Sequence, residues 1–379
     1  MNGRDMSWLV RSTGGQREKL NVRSKQAREG DKMKILTSYA TAIAVTAALA
    51  MTPAIAQGSK SKTLDAVKKR GVLSCGVNTG LAGFSMPVKG KWAGLDVDLC
   101  RAVSAAIFND PNKIKFIPLN AKDRFTALQT GEIDVLSRNG TWTMTREANL
   151  GLMWAGVNYY DGQGFMVRKG LVTSALELSQ ASICVQQGTT TERNLADYFR
   201  SKNMKYEPVT FASLNEAIDA YKGGRCDAYT TDASGLYAVR LRLPDPSKHI
   251  VLPQIISKEP LGPAVRQGDD VWLNIVKWTH FAMINAEELG VTQKNIDAKL
   301  KSKDPATRRL VGVEGDFGKS LGLTKDWAYR IIKHVGNYGE SFERNVGMGS
   351  PLKITRGLNA LWNHPDDKKR GLMYAPPIR

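Results

Sequence analysis

From residue 71 onward, short apolar runs alternate with longer stretches whose apolar positions recur at helical spacing. Residues 71–77 read as a first strand, and a helix follows over about 95–107. A strand over 113–118 comes next, then a helix over about 123–130 that stops at Gly131, where a left-handed residue closes a helix. Residues 133–137 form the third strand. This βαβαβ order builds a parallel sheet with helices on its faces. The design then repeats. Residues 183–186 are a strand, Thr189-x-x-Glu192 is a capping box opening a helix to about Ser201, and Ser213-x-x-Glu216 opens another that ends at Gly223-Gly224. The run from Cys226 closes the second set on the carboxylate of Asp232. Ala127, Gly131 and Asp134 match Ala220, Gly224 and Asp227 at an offset of 93 residues, which also carries Asn139 onto Asp232.

Two such units make an α/β molecule of two lobes with mainly parallel sheets, and ligands of open sheets sit beyond the carboxyl ends of the strands. The polar and Gly/Pro-rich stretches 159–164 and 257–263 fall where the chain must cross between lobes, so both read as hinges. Residues 57–160 and 264–379 then form lobe 1, and 161–263 form lobe 2. The helical region from Gly268, for example 271–289, is expected to pack back on lobe 1, and 364–379 to be a surface tail.

The N-terminus changes this picture. Lys32-Met33-Lys34 precedes an apolar stretch over 35–51, and Ala54-Ile55-Ala56 supplies a small-x-small cleavage pattern. Residues 33–56 therefore read as a secretory signal, with 1–32 a polar extension that a true start at Met33 would remove. Of 54 Lys+Arg and 36 Asp+Glu, 9 and 4 fall in residues 1–56, which leaves the exported part at +13. No stretch interleaves these cations with aromatics as a nucleic-acid site does. Export permits disulfides. Four cysteines allow three pairings, and Cys75–Cys100 with Cys184–Cys226 keeps each pair within one lobe. Four scattered histidines and no CxxC give no reason to expect a metal.

Chemistry concentrates at two strand ends. Asn139, Thr141 and Arg146 follow the third strand, where hydroxyls, helix N–H groups and a guanidinium together form a carboxylate trap. A cation in the first turn of a helix opposes the helix dipole, which a bound anion relieves. Asp232 offers the opposite charge, for an ammonium, although a residue there followed by Ala-Ser-Gly is also a natural helix N-cap. Thr189 and Thr190 have capping work besides any ligand role. One cation and one anion are what a free α-amino acid needs.

Gly94-Leu95-Asp96-Val97-Asp98-Leu99, Thr141-x-Thr143-x-x-Arg146, Gln187-Gly188-Thr189-Thr190 and Thr231-Asp232 occur in the order that resembles the amino-acid-binding class of bacterial extracellular solute-binding proteins, over residues 62–265. Tyr159-Tyr160-Asp161-Gly162-Gln163-Gly164 and a long C-terminal extension with Tyr374-Ala375-Pro376-Pro377 are similar to its general L-amino-acid-binding branch. The resemblance implies a periplasmic-binding-protein (type II) fold that closes on an L-amino acid and delivers it to inner-membrane ABC permease subunits. A periplasmic monomer without cofactor or enzymatic activity is the form it implies. In that reading Arg146 and Thr141 hold the α-carboxylate with Thr190 from the other lobe, Asp232 takes the ammonium, and Arg124 reads the side chain of acidic ligands. Asn78 stands where binders of cationic amino acids carry an acid, and Leu81 where an aromatic is common, with Phe84 and Trp142 as replacements for the missing wall. Neither departure selects one side chain, which fits a broad binder. The same scaffold resembles cyclohexadienyl and arogenate dehydratases, whose chemistry needs a general acid in the cleft; the carboxylates expected beside the trap are Asp232, already assigned to the ammonium, and Glu147 and Glu192, which read as helix-surface or capping residues. An adaptor for a membrane receptor is the other alternative.

Overall fold

The computed structural model describes residues 60–379; the polar extension and the signal segment lie outside the described residues. Helix α1 (Lys62–Arg70) leads into strand β1 (Leu73–Asn78). A short hairpin, β2 (Met86–Val88) and β3 (Lys91–Ala93), precedes α2 (Leu95–Phe108), β4 (Ile114–Leu119), α3 (Arg124–Thr130) and β5 (Val135–Leu136). Helix α4 (Met144–Leu150) and β6 (Leu152–Trp154) follow. The first sheet has the order β4-β1-β5-β14-β6, with β14 (Ala264–Arg266) arriving from far along the chain. β1 runs parallel to β4 and β5, whereas β14 runs antiparallel to β5 and β6. All six residues of β1 are buried, as a central strand covered on both faces requires. Gly76 at its middle is needed for close approach, because a Cβ there would meet Ile133 Cδ1 at 2.5 Å.

The second sheet repeats the plan. It takes β8 (Gln163–Arg168), β9 (Ser182–Gln186), β10 (Glu207–Phe211), β11 (Ala228–Asp232) and β12 (His249–Val251) in the order β10-β9-β11-β8-β12. Helices α5 (Thr190–Ser201), α6 (Leu214–Lys222) and α7 (Ala233–Arg240) alternate with these strands. β9 is parallel to β10 and β11, and β8 is antiparallel to β11 and β12. Both sheets are thus mixed. The parallel triplets match the sequence pattern, and each gains two more strands, added through antiparallel pairings, that period alone did not reveal. The two hinge stretches pair with one another: β7 (Tyr159–Asp161) runs antiparallel to β13 (Glu259–Leu261), with Asp161 opposite Glu259.

Local signals explain most boundaries. Gly131 closes α3 at φ 82°. Ser213 and Glu216 form the full reciprocal cap of α6. At α5 the box is only half made: Thr189 accepts the Glu192 N–H at 3.1 Å, but the Glu192 carboxylate takes the N–H of Gly188 instead. Both expected disulfides are present, tying β1 to α2 through Cys75–Cys100 and β9 to the entry of β11 through Cys184–Cys226.

The C-terminal third is helical: α8 (Asp270–Glu288), α9 (Ile296–Lys299), α10 (Pro305–Leu310), α11 (Trp327–Val335) and α12 (Tyr338–Asn345). α8, α11 and α12 pack on α2. The buried carboxylate of Asp98 locks α12 to α2 by accepting from Ser341, Arg344 and Asn345. The stretch 364–379 is not merely a surface tail. Met373 and Ala375 are buried while Leu372 and Tyr374 are exposed, a period of two too short to read without the structure, and Met373 bridges to Leu361. No helix among the described residues is long and apolar enough to cross a membrane.

Candidate functional site

Carboxyl ends of β1, β5, β9 and β11 converge on a cavity of about 40 Å³. Arg124, Arg138, Asn139 and Thr141 line it from the first sheet's side, and Thr189, Thr190 and Asp232 from the second's. Asn78 and Leu81 line it too, with no aromatic side chain among the lining residues. The replacement wall is therefore absent: Phe84 is edge-on to Tyr159 in the core, and the Trp142 indole N–H donates to Glu147.

The segment that carries the trap is held by the hinge strand. Trp142 N–H donates to Pro260 O at 2.8 Å, and Gly262 N–H donates to Gly140 O at 3.0 Å. Arg146 sits in the first turn of α4, 8 % exposed, with Nη1 donating to Thr141 O at 2.8 Å and its guanidinium over the Phe125 ring at 5.0 Å. Burial lowers its pKa to about 10, while the charges of Glu259 and Asp232 act to raise it. It feels Asp232 across the crevice but does not itself line the cavity.

Asp232 ends β11 and is 6 % exposed. It stands at the N-cap of α7 yet makes no capping bond with its side chain, so the carboxylate is not consumed by local structure. Burial raises its pKa well above the usual carboxylate range, the nearby charges of Asp161 and Glu259 add to that, and Arg124 with the Asn139 amide opposes it. Asn139 and Asp232, related by the 93-residue offset, thus meet. Asn139 adopts a left-handed φ of 33°, its N–H donating to Asp96 at 2.8 Å and its Oδ1 accepting from Asn78.

Two of the threonine hydroxyls converge on Glu259. Thr141 donates to Glu259 Oε2 at 2.5 Å and Thr190 to the same oxygen at 2.8 Å, with the two hydroxyl oxygens 3.2 Å apart. Asn194 and Ser257 donate to Oε1 at 2.6 and 2.7 Å. Glu259, 1 % exposed, therefore bonds the trap, α5 and its own hinge with one carboxylate. Thr189 Oγ1 donates to Gln186 O and caps α5, a wholly local role.

Two carboxylates that sequence reasoning did not name as site residues, Glu259 and Asp161, thus stand near Asp232. Glu259 was hidden in a stretch notable only for its Gly and Pro, and Asp161 lay in the other hinge. Burial pushes Asp161 up to about 6, and it accepts from Ser234 and the Gly162 N–H. Sequence reasoning also misses Arg138, although an arginine closing an apolar strand is a signal. Its Nε donates to Leu119 O at 2.8 Å, it is 3 % exposed, and burial lowers its pKa to about 10. Arg124, also 3 % exposed, stacks 4.7 Å from the Phe125 ring, and its Nε has no hydrogen-bond partner among the described residues.

Two mixed sheets joined by a paired double crossing, with buried charges of both signs where their strand ends converge, define a two-lobed solute-binding protein. The chain belongs to the bacterial extracellular solute-binding proteins, family 3, whose family model matches residues 73–295. It is 62 % identical over 328 residues, 86 % of this chain and 95 % of the relative, to the general L-amino acid-binding periplasmic protein of Rhizobium johnstonii. The glutamate/glutamine/aspartate/asparagine-binding protein of Rhodobacter capsulatus is 51 % identical over 87 % of this chain and 97 % of its own. An ABC transporter periplasmic binding protein from Brucella ovis, solved with glutathione bound, superposes with a TM-score of 0.82 at 60 % identity, covering 84 % of this chain and all of that one.

Proposed function

We propose that the protein captures free L-amino acids in the periplasm between lobe 1 (57–160 and 264–379) and lobe 2 (161–263) and hands them, as a monomer, to the membrane subunits of an ABC transporter. The observation that carries this reading is an uncapped, buried Asp232 on the cavity wall, with the buried guanidinium of Arg146 close enough to feel its charge. A zwitterion's carboxylate goes to the guanidinium and its ammonium to Asp232, each bond charge-assisted. The broad amino-acid names of the relatives support the same ligand class.

In the conformation described, 40 Å³ is room for roughly three waters. An amino acid therefore enters by parting the lobes, and the β7–β13 pair is where the chain bends. A hydroxyl has a single proton to donate. Thr141 and Thr190 give theirs to Glu259, so their role is to close the lobes, and the charge of the α-carboxylate falls on Arg146. Expulsion of water on closure strengthens each charge pair. Glutathione, found in the Brucella ovis relative, presents the same free amino and carboxyl groups on its glutamyl end, which makes a γ-glutamyl peptide the second ligand to test. The relatives' names give the dehydratase alternative no support, and the adaptor alternative uses the same grip.

Calorimetric titration of wild type and Arg146→Ala tests the assignment. The variant is expected to bind about 2–5 kcal/mol more weakly, because the ligand carboxylate is left buried without its partner. Undiminished affinity removes Arg146 from the site.

A further inference from the structure

The C-terminal extension, residues 296–379, lies beyond the stretch matched by the family model, and it builds a cavity of its own. That cavity measures about 770 Å³, far more than the 40 Å³ of the crevice. It falls within the roughly 300–1,000 Å³ usual for small-molecule sites. Every lining residue but Glu287 comes from residues 343–370. Met348, Ile354, Leu358 and Leu361 form its apolar wall, and Met348 and Leu358 are each 56 % exposed. Apolar side chains left open together in a hollow mark an interaction site, as single scattered ones do not.

The charge around this hollow is one-sided. His364, Lys368, Lys369 and Arg370 face the cavity, whereas Asp366 and Asp367 of the same segment are not among its lining residues. Glu287 is taken by Arg356, which grips it through both terminal nitrogens at 3.0 and 3.2 Å and lies over the rings of Tyr338 and Phe342. Glu343 accepts the Met348 N–H at 3.1 Å. Three cations, Lys368, Lys369 and Arg370, thus face one partly committed carboxylate. Lys369 with Asp366 and Arg370 with Asp367 make exposed surface pairs of little strength, so both cations still have donors to offer.

We propose that this cavity is a second ligand site, separate from the amino-acid crevice, for an amphiphilic anion: a carboxylate or phosphate head on an apolar body. The head goes to Lys368, Lys369 and Arg370, and the body covers Met348 and Leu358. Neither part suffices alone. An inorganic anion leaves the apolar wall wet, and a neutral apolar molecule leaves three cations unanswered. The site also reaches the hinge. The 3₁₀ turn Gly357–Asn359 gives Gly357 and Leu358 to the cavity. Asn359, buried, bonds Tyr160 of β7 in both directions, accepting its N–H at 2.7 Å and donating to its O at 3.0 Å. From the cavity side, Arg356 Nε donates to Asn359 O at 2.9 Å. A ligand shifts an equilibrium by its differential affinity for the two states. One that fits the cavity in the conformation described here therefore favours this arrangement of β7, and with it the closed crevice. This coupling rests on the proposed amino-acid grip; the seat itself does not.

The test is calorimetry of decanoate, decanol and inorganic phosphate on wild type and on the triple variant Lys368→Gln/Lys369→Gln/Arg370→Gln, whose substituted side chains are all exposed. Decanoate is expected to bind wild type at least tenfold more tightly than decanol or phosphate, and the triple variant at least tenfold more weakly than wild type. The best-bound L-amino acid of a panel is then titrated at saturating decanoate. Wild type is expected to gain at least threefold in amino-acid affinity, as reciprocal coupling requires, and the triple variant nothing. Absence of decanoate binding, decanol bound as tightly as decanoate, or decanoate undiminished in the triple variant overturns the seat. An amino-acid affinity unchanged by decanoate overturns the coupling to the hinge, and a lowered one, the mark of competition for the crevice, overturns both. Decanoate discriminated as expected in a protein that binds no amino acid leaves the seat standing and removes the reading of the crevice.

Discussion

At the scale of single residues, the site depends on which polar groups are already committed. Asp232 looks like a natural N-cap, yet its carboxylate does no capping, and Thr189, an equally good candidate, spends its hydroxyl on Gln186 and its own helix. Residue type and position were legible in the sequence; the state of commitment was not, because it depends on contacts from distant segments. In the proposed grip Asp232 also sets a pH response. Its pKa is raised, so it protonates earlier than an ordinary aspartate as pH falls, and a neutral carboxyl no longer holds an ammonium. Affinity measured by calorimetry is therefore expected to fall as pH is lowered from neutrality, and Asp232→Asn to bind weakly with that slope removed. His280 sets a different one, in stability. It is buried in α8 beside Val157 O, with its pKa lowered by burial to about 4 from 6.5. The folded state keeps it neutral while the unfolded chain takes a proton below about 6.5, so its contribution to stability is lost as pH falls through that window toward 4. Chemical denaturation at pH 7 and pH 4.5 is expected to show His280→Gln losing less stability than wild type over this interval, by about 2–3 kcal/mol.

At the scale of elements, the parallel triplets, their helices and caps were readable because each is specified locally: an apolar run, a helical period, a Gly at the stop. The strands added through antiparallel pairings, β6, β14, β8 and β12, were not, since three of them are only three residues long and their partners lie elsewhere in the chain. Composition locates the hinge, but its β7–β13 pairing and the carboxylate at its head came only with the fold. Glu259 collects four hydrogen bonds from the trap, α5 and the hinge. Glu259→Ala removes them together, and the closed form is destabilised relative to the open one. Apparent affinity then falls with the population of the closing-competent state, here about tenfold or more, and small-angle scattering is expected to show less compaction at saturating ligand than wild type shows. Equal compaction and affinity would make Glu259 a bystander. The disulfides act at this scale as well. The Cys184–Cys226 bridge closes 42 residues, and its removal by paired serine substitution is expected to lower stability by about 3–4 kcal/mol in the chain-entropy model, read by urea denaturation.

For the whole molecule, the internal offset of 93 residues proved the most informative global signal, since it brings Asn139 and Asp232 to opposite walls of one cavity. What it could not convey is how much charge converges there. Arg124, Arg138, Arg146, Asp161, Asp232 and Glu259 come from separate segments, and the sequence marks only Arg124, Arg146 and Asp232 as site residues. The proposed function requires the two lobes to hold a ligand at both of its charged ends, one from each side. Calorimetry on the protein decides this with three compounds: the best-bound L-amino acid of a panel, the amine left when its α-carboxylate is removed, and the acid left when its α-ammonium is removed. The expected result is that both truncated compounds bind at least a hundredfold more weakly than the parent. Retention of full affinity by either one would contradict the two-ended grip.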